Sequence, residues 1–362
     1  MEVKVMSGSE LGSEIEGFKD SWKKKNKAHG IEEPFPDYVV DIGLKIKNFM
    51  IPENRKYQGA LGNAKGMLEA LTLYSDLSTI TDPVKFFDNI RVITDFLLKV
   101  RLTSQVPLNT SFFILQRLSK LNPQAMAVDD LKAALKAECE KHLENYDKAR
   151  ERIGKLMGAR IIDRCEEYDQ PNIVVGTHCH SGAVIKAIIH AKDYVQQVVV
   201  TKTEPEQQGM ITAKELCEAG IKVKLIALEQ YGVEFRRVNM FLFGIDAVSV
   251  EGIVLNKSGT RMIATLAHTK ELPVYFLGET YKYARDTLQG GLVKTERRDV
   301  VDSLLSNRLG IDLRNYIENG LLDATFTAFD TTKPEFYNSI VSEQGFMPMH
   351  EAFEREWKEY LP

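Results

Sequence analysis

Cysteine is scarce: Cys139, Cys165, Cys179 and Cys217 are the only four among 362 residues, and no two stand as a C-x-x-C pair. That scarcity excludes a disulfide-stapled secreted scaffold and leaves a reducing cytoplasm as the expected compartment. No run approaches the ~18 consecutive apolar residues of a membrane span. The opening Met1-Glu2-Val3-Lys4 soon turns acidic, unlike a basic and then apolar leader. Neither sign of charge prevails: 47 Lys and Arg against 51 Asp and Glu leave a net charge of −4. No global field therefore draws in nucleic acid, and Lys23-Lys24-Lys25 reads as a solvated helix face. Internal repeats, low-complexity tracts and a Walker phosphate loop are absent as well. What remains, 44% hydrophobic and 27% charged residues, is the composition of a globular protein with room for two domains.

Two rhythms divide the chain. The first part is helical: residues 59–74 carry Leu61, Met67, Leu68, Leu71 and Leu73, and shorter helices are expected over 90–98 and 112–121. From Val128 a longer pattern begins, with Leu131, Leu135, Cys139, Leu143, Tyr146, Ala149, Ile153 and Leu156 recurring every three to four residues. Asp129 and Asp130 suit its first turn, and Asp169-Gln170-Pro171-Asn172 ends it. A helical domain over 1–160 and a second domain over 161–362 follow from this reading.

In the second part, apolar runs at 173–175, 198–201, 223–228, 240–243 and 274–277 alternate with helical patterns at 185–191, 212–219 and 260–269. That alternation specifies βαβ units and a parallel sheet, hence an α/β fold whose ligands bind beyond the carboxyl ends of the strands. A closing strand and helix are expected over 325–330 and 346–361.

The segments at those strand ends carry the chemistry. Gly176-Thr177-His178-Cys179-His180-Ser181-Gly182-Ala183 places a thiol among imidazoles and hydroxyls, close to a helix N-terminus that favours anions and lowers a thiol's pKa. The bland alternative is a small buried cysteine in a turn. Adjacent His-Cys-His side chains diverge, and no second ligand pair stands at zinc-like spacing, so no metal is expected. A cysteine hydrolase would require a distant His with Asn or Asp, which one sequence leaves open. His190 and His268 sit on helical patterns and read as structural. Asp246, after Phe243-Gly244-Ile245, is either a strand-end cap or the acid partner of Cys179. Lys257, Ser258 and Thr260 follow a glycine-containing segment and could form a phosphate cradle at a helix start. Lys282 is a solvated lysine or an anion contact. From spacing alone the reading ends at an α/β protein with a thiol–carboxylate site for a phosphorylated ligand.

Taken together these segments resemble a known family. It joins the ribose 1,5-bisphosphate isomerases, the methylthioribose 1-phosphate isomerases and the regulatory subunits of translation initiation factor 2B. Thr177 to Ser181 resembles the bisphosphate isomerases' cysteine loop, and Thr203-Glu204-Pro205 through Gln208-Gly209 is similar to ETRPxxQG. Gly244-Ile245-Asp246 with Asn256 to Thr260 resembles GADxV…NKIGT, and Glu279-Thr280-Tyr281-Lys282-Tyr283 is close to ETYKF. The likeness runs from about Tyr57 to Met349.

The resemblance implies a helical N-terminal domain, a Rossmann-like C-terminal domain and a cytoplasmic homo-oligomer, dimer or hexamer. It implies no cofactor and no nucleic-acid or membrane partner. It implies an aldose–ketose isomerase that converts ribose 1,5-bisphosphate to ribulose 1,5-bisphosphate in nucleotide (AMP) salvage. Cys179 would take the proton from carbon 2 as a thiolate near neutral pH, and Asp246, partly protonated, would protonate the ring oxygen. Arg101, Lys257 and Lys282 would hold phosphates; Gln58, Gly59, Ala60, Ser181, Gly182, Ala183, Gln208 and Asn256 would line the site. Alternatives within the family are a non-catalytic regulatory subunit, whose members generally do not keep the Cys179–Asp246 pair, and a methylthioribose 1-phosphate isomerase, which carries different residues after the cysteine. The chain departs from the family pattern at Gln58 for an arginine, Gly182 for a lysine, Leu102 for a proline, Ile245 for an alanine and Glu204 for an arginine.

Overall fold

The computed structural model describes residues 2–4, 8–27, 34–49, 51–101, 103–293, 295–298, 305 and 309–358. The chain divides into two compact units, one of residues 6–147 with 357–362, the other of residues 1–5 with 148–356.

The first unit is helical. Its elements are α1 (Gly8–Lys27), α2 (Asp37–Lys47), α3 (Gly59–Leu77), α4 (Pro83–Val100), α5 (Gln105–Lys120) and the start of α6 (Val128–Glu167). Local chemistry sets these limits. Asp82 precedes α4 and its carboxylate accepts the Val84 and Lys85 amides at 2.8 and 3.1 Å, while Pro83 begins the helix where no amide is needed. The core is aromatic: Phe18 and Phe35 meet Phe96 edge-on with ring centroids 5.3 and 5.4 Å apart, and Tyr74 stacks on Phe86 at 5.0 Å.

The α6 helix belongs to both units. Leu131, Leu135, Cys139 and Tyr146 are buried before the division, and Ile153, Met157, Ile161 and Cys165 after it. Four-residue spacing in both stretches keeps one face apolar throughout. The division at 160 read from the sequence and the one at 147/148 thus fall in the same continuous helix, where periodicity carries no mark of the changeover.

The second unit is built on a seven-stranded sheet, with β1 (Glu2–Lys4) set apart from it. Across the sheet the strands run β4 (Val223–Ile226), β3 (Val195–Thr201), β2 (Ile173–Thr177), β5 (Met240–Gly244), β8 (Val274–Leu277), β12 (Ser339–Ser342) and β13 (Gly345–Phe346). All neighbours are parallel except β12 and β13. Chain order therefore reverses between β2 and β5, which pair directly: Val175 with Met240 and Gly176 with Phe241. Crossover helices α7 (Gly182–His190), α8 (Gly209–Glu218) and α10 (Thr260–His268) alternate with the strands; α9 (Tyr231–Glu234) and α11 (Arg314–Glu318) are short, and α12 (Met349–Trp357) comes last. Every residue of β2 and β5 is buried, as a central parallel strand covered on both faces requires. Ile173, Val175, Met240 and Leu242 share one core with Ile153, Met157 and Ile188, each contributing about 1.5–3 kcal/mol.

Two small sheets complete this unit. β6 (Ala247–Val248) and β11 (Phe329–Thr332) pair antiparallel with β7 (Val254–Lys257), and β9 (Thr295–Arg298) pairs with β1 and β10 (Phe326–Thr327). The sequence reading places no strand within 252–260, where residues 254–257 are a buried strand of the β6–β7–β11 sheet. The closing helix ends at Trp357, and the rest of its expected span, 359–361, lies outside the described residues. No described helix is long and apolar enough to cross a membrane.

Candidate active site

The switch point of the sheet is where two loops must splay apart, and here they carry the thiol and the carboxylate. β2 ends at Thr177, and the next residues turn sharply enough to put Cys179 at φ 66°, a left-handed conformation costly for a residue with a Cβ. Thr203, after β3, has the same φ of 66°. Hydrogen bonds lock the two together: the Cys179 amide donates to Thr203 Oγ1 at 3.0 Å, and Thr212 Oγ1 donates to the Cys179 carbonyl at 2.8 Å. The Cys179 thiol donates to Gln208 Oε1 at 3.1 Å.

His178 is held by both ring nitrogens. Nε2 donates to the Ser258 carbonyl at 2.9 Å, so Nδ1, 2.5 Å from Thr201 Oγ1, is the acceptor. Burial pulls its pKa down to about 4 and it is neutral. His180 is likewise pulled to about 4 by burial and then by Arg150; its Nδ1 lies 3.3 Å from Thr212 Oγ1. Neither imidazole hydrogen-bonds the thiol, which is the pairing a cysteine hydrolase uses. Among the described residues, no three His, Cys, Asp or Glu side chains group to hold a metal.

The expected thiolate near neutral pH is not what the site holds. Burial, the largest influence, pushes the Cys179 thiol up to about 11; Lys257 draws it down, while Asp246 and Glu206 push it further up. The α7 helix starts only at Gly182, with Ser181 as its cap, so its N-terminal field is a turn removed from the sulfur.

Asp246 is half-buried, and its amide donates to the Leu255 carbonyl at 2.9 Å. Its loop lies against the cysteine loop. A Cβ on Gly244 would stand 2.7 Å from the Ser181 Cβ, so glycine there is what lets the two loops close up.

The cations are paired rather than bare. Lys257 Nζ is 2.5 Å from Glu206 Oε2, both side chains nearly fully buried, and it sits over the Phe329 ring at 5.0 Å. Lys282 Nζ lies 3.3 Å from Glu279 Oε2, and Arg150 Nε donates to Glu279 Oε1 at 3.0 Å. Burial raises Glu279, but Lys282 and Arg150 outweigh it and hold the carboxyl at about 2. Next to it, Glu343 accepts the Thr280 amide at 3.1 Å and the Thr280 hydroxyl at 2.5 Å, and burial pushes Glu343 up to about 7. The expected phosphate cradle at 258–260 is already filled: Asp330 of β11 accepts the Gly259 amide at 2.8 Å and the Arg261 amide at 3.1 Å. Thr260 Oγ1 donates to the Lys257 carbonyl at 2.7 Å, Asn256 Nδ2 donates to Thr260 Oγ1 at 3.2 Å, and Ser258 Oγ donates to the Thr327 carbonyl.

Comparison with known proteins places this arrangement. The model of the initiation factor 2 subunit family matches residues 56–349, most of the chain. The chain belongs to that family. It is 29% identical over 318 residues to a ribose 1,5-bisphosphate isomerase of Thermococcus kodakarensis, covering 87% of this chain and 92% of that protein. It is 27% identical over 315 residues to a putative translation initiation factor eIF-2B subunit 2-like protein of Pyrococcus horikoshii, covering 86% and 97%. Among solved structures, the fold matches 5-methylthioribose 1-phosphate isomerase of P. horikoshii with a TM-score of 0.66 and 22% identity, covering 91% of this chain and 88% of that one.

The residues of the helical unit that resemble the family motifs lie at helix ends. Gln58 precedes α3, and Gly59, with φ 71°, and Ala60 open it. Arg101 follows α4 with its guanidinium 4.8 Å from the centre of the Phe49 ring; Leu102 lies outside the described residues. Of the two basic residues just before Gln58, Arg55 and Lys56, the second is held by Glu69 at 3.1 Å. Ser181 and Gly182 border the cysteine loop, whereas Ala183 is in the core. Sequence reasoning missed Glu206, Glu279, Glu343 and Arg150. Their only signal is a carboxylate beside each lysine-bearing strand end, and for Arg150 nothing sets it apart from other helix charges.

Proposed function

We propose that this protein is an aldose–ketose isomerase acting on a sugar phosphorylated at carbon 1, with ribose 1,5-bisphosphate as substrate and ribulose 1,5-bisphosphate as product, in nucleotide (AMP) salvage. The observation that carries the reading is a thiol and a carboxylate on loops after two adjacent parallel strands, close enough for the charge of one to shift the titration of the other. The names of the bisphosphate isomerase relatives support the same substrate.

A phosphate on carbon 1 masks the aldehyde, so the ring must open before carbon 2 gives up its proton. Asp246 as a carboxylic acid protonates the ring oxygen and becomes a carboxylate, and Cys179 as a thiolate removes the carbon-2 proton to leave an enol. The thiol then returns that proton at carbon 1 while the carbon-2 hydroxyl gives its own to Asp246, which forms the ketose and restores both groups. The reactive pair, thiolate with carboxylic acid, holds the same number of protons as the resting pair, thiol with carboxylate. The two forms differ only by a proton moved between coupled groups. Protonating Asp246 removes its charge, one of the influences that keep the thiol protonated. Lys257 and Lys282 bind the phosphates, and Gln208 releases the thiol it holds. The test is turnover of ribose 1,5-bisphosphate, ribose 1-phosphate and methylthioribose 1-phosphate side by side. Preference for the bisphosphate is expected; equal turnover of a singly phosphorylated sugar rejects the two-phosphate substrate, and no turnover of any rejects the isomerase.

We further propose a homo-oligomer of even number. Closed two-fold symmetry is the commonest soluble assembly, and a protein of the same fold from C. thermophilum forms the tetrameric eIF2B-beta2-delta2 complex. A monomeric mass by light scattering at micromolar concentration overturns this.

A further inference from the structure

Arg150 is a cation of this region to which the motifs assign nothing. It projects from α6 across the first residue of α7, where Gly182 leaves room. A Cβ on Gly182 would stand 3.1 Å from Arg150 Cζ and 3.2 Å from Nη1. The guanidinium thus fills the volume that a side chain at 182 would take. Its Nε is tied to Glu279, which is 1% exposed, while Arg150 itself is 32% exposed.

Two features make this more than an ion pair. Arg150 and Lys282 share the Glu279 carboxylate, so these three groups together carry one positive charge, with Glu215 a further carboxylate on which Arg150 acts. A guanidinium also carries five N–H donors in a planar fork. Among the described residues only its Nε has a hydrogen-bond partner, so the Nη edge remains for an oxoanion. Anchoring Nε fixes the plane of the fork, and little rotamer freedom is left to lose when two phosphate oxygens bind it. The cluster adjoins both reactive loops: the Arg150 charge acts on His180, beside Cys179, and the Lys282 stem lies with Ile245 against Gly278, beside Asp246.

We propose that Arg150 is a substrate-binding residue that, with Lys282, holds one phosphate of the sugar phosphate. This rests on the isomerase reading above. The site thereby draws from the long helix a cation that the α7 loop does not supply.

The test combines calorimetric binding of ribose 1,5-bisphosphate with steady-state kinetics on the full-length protein. Arg150→Gln is expected to weaken binding by about 10- to 100-fold, the loss of a charge-assisted contact, with KM rising far more than kcat falls. Arg150→Lys should recover part of the loss. Gly182→Ala, which only displaces the guanidinium, should cause a smaller loss of the same kind. The double variant Arg150→Gln with Glu279→Gln separates contact from neutralisation. If Arg150 serves only to neutralise Glu279, the double variant regains wild-type affinity, and that result overturns the proposal. Unchanged affinity in Arg150→Gln overturns it as well. Binding that depends on Arg150 without any turnover leaves Arg150 in place and removes the isomerase reading. Failure of the wild type to bind either the bisphosphate or inorganic phosphate removes both.

Discussion

The two sides of the switch point meet at one sheet edge with different chemistry. Beyond β2 and β3 the thiol is bound up in neutral groups: Thr201, Thr203, Gln208, Thr212 and an uncharged His178. Beyond β5 and β8 the edge is ionic, with Asp246, Glu279 and Lys282, joined by Lys257 at the end of β7 and Arg150 from α6. Charge is present after β3 as well, in the exposed Lys202–Glu204 pair and in Glu206, a carboxylate that reaches across to Lys257. The ionic side does reach the thiol, where Lys257 draws its pKa down, but burial outweighs that pull. The thiol is therefore held protonated, and ionisation must await a change in the charges opposite.

The largest effects should come from removing the one reactive group on each side. Cys179→Ser and Asp246→Asn are each expected to lose at least ~10²-fold in turnover while remaining folded. Full turnover in either variant breaks the pairing of the two sides.

The crossing contact offers the next test. Removing one member of a buried ion pair leaves the other uncompensated, at a cost of about 3–5 kcal/mol. Glu206→Gln should therefore lower the thermal midpoint without phosphate, and millimolar inorganic phosphate should restore it by taking the vacated lysine. Lys257→Met should destabilise with no such rescue and raise KM about tenfold or more. Equal rescue of both variants would show that phosphate does not bind at Lys257.

A third test measures the thiol directly. In a Cys217→Ser background, which removes the exposed cysteine, iodoacetamide labelling of Cys179 should climb steadily with pH and level off only around 11. A plateau near neutral pH would mean the neutral side ionises the thiol unaided.

The smallest effect concerns Glu343. Its folded pKa, about 7, lies above the unfolded carboxylate value of 4.5. The folded state then holds its proton more tightly, so this contribution is full at low pH and is lost as pH rises through 7. The thermal midpoint should fall modestly from about pH 5 to pH 7 and level off above that, and Glu343→Gln should abolish that fall. A fall that persists in the variant assigns it elsewhere.

Much of this was legible in advance because it rests on periodicity and strand-end chemistry. Apolar runs bounded by glycine marked β2, β5 and β8, and the reversal between β2 and β5 put Cys179 and Asp246 on adjacent loops. Partners contributed by distant segments were not legible. Asp330 reaches the start of α10 from β11, Glu343 reaches Thr280 from the β12–β13 turn, and Arg150 reaches Gly182 from α6. Each depends on tertiary packing, which leaves no local pattern. The pKa of Cys179 was misjudged for the same reason: proximity to a helix start is visible in sequence, and the depth of burial that overrides it is not.

Neither unit is a single stretch of chain, and this bears on how the protein is made. Residues 2–4 form β1, whose partner β9 begins at Thr295, and Trp357 stacks on Phe113 at 4.1 Å between ring centroids. On the ribosome, the helical unit emerges early yet lacks the indole that covers Phe113 until residue 357 is synthesised. The strand at residues 2–4 waits for about 290 residues to be added before its mate emerges. Completion of both units is therefore tied to segments made long after the bulk of each, and a product cut before residue 357 would expose apolar surface that quality control can recognise.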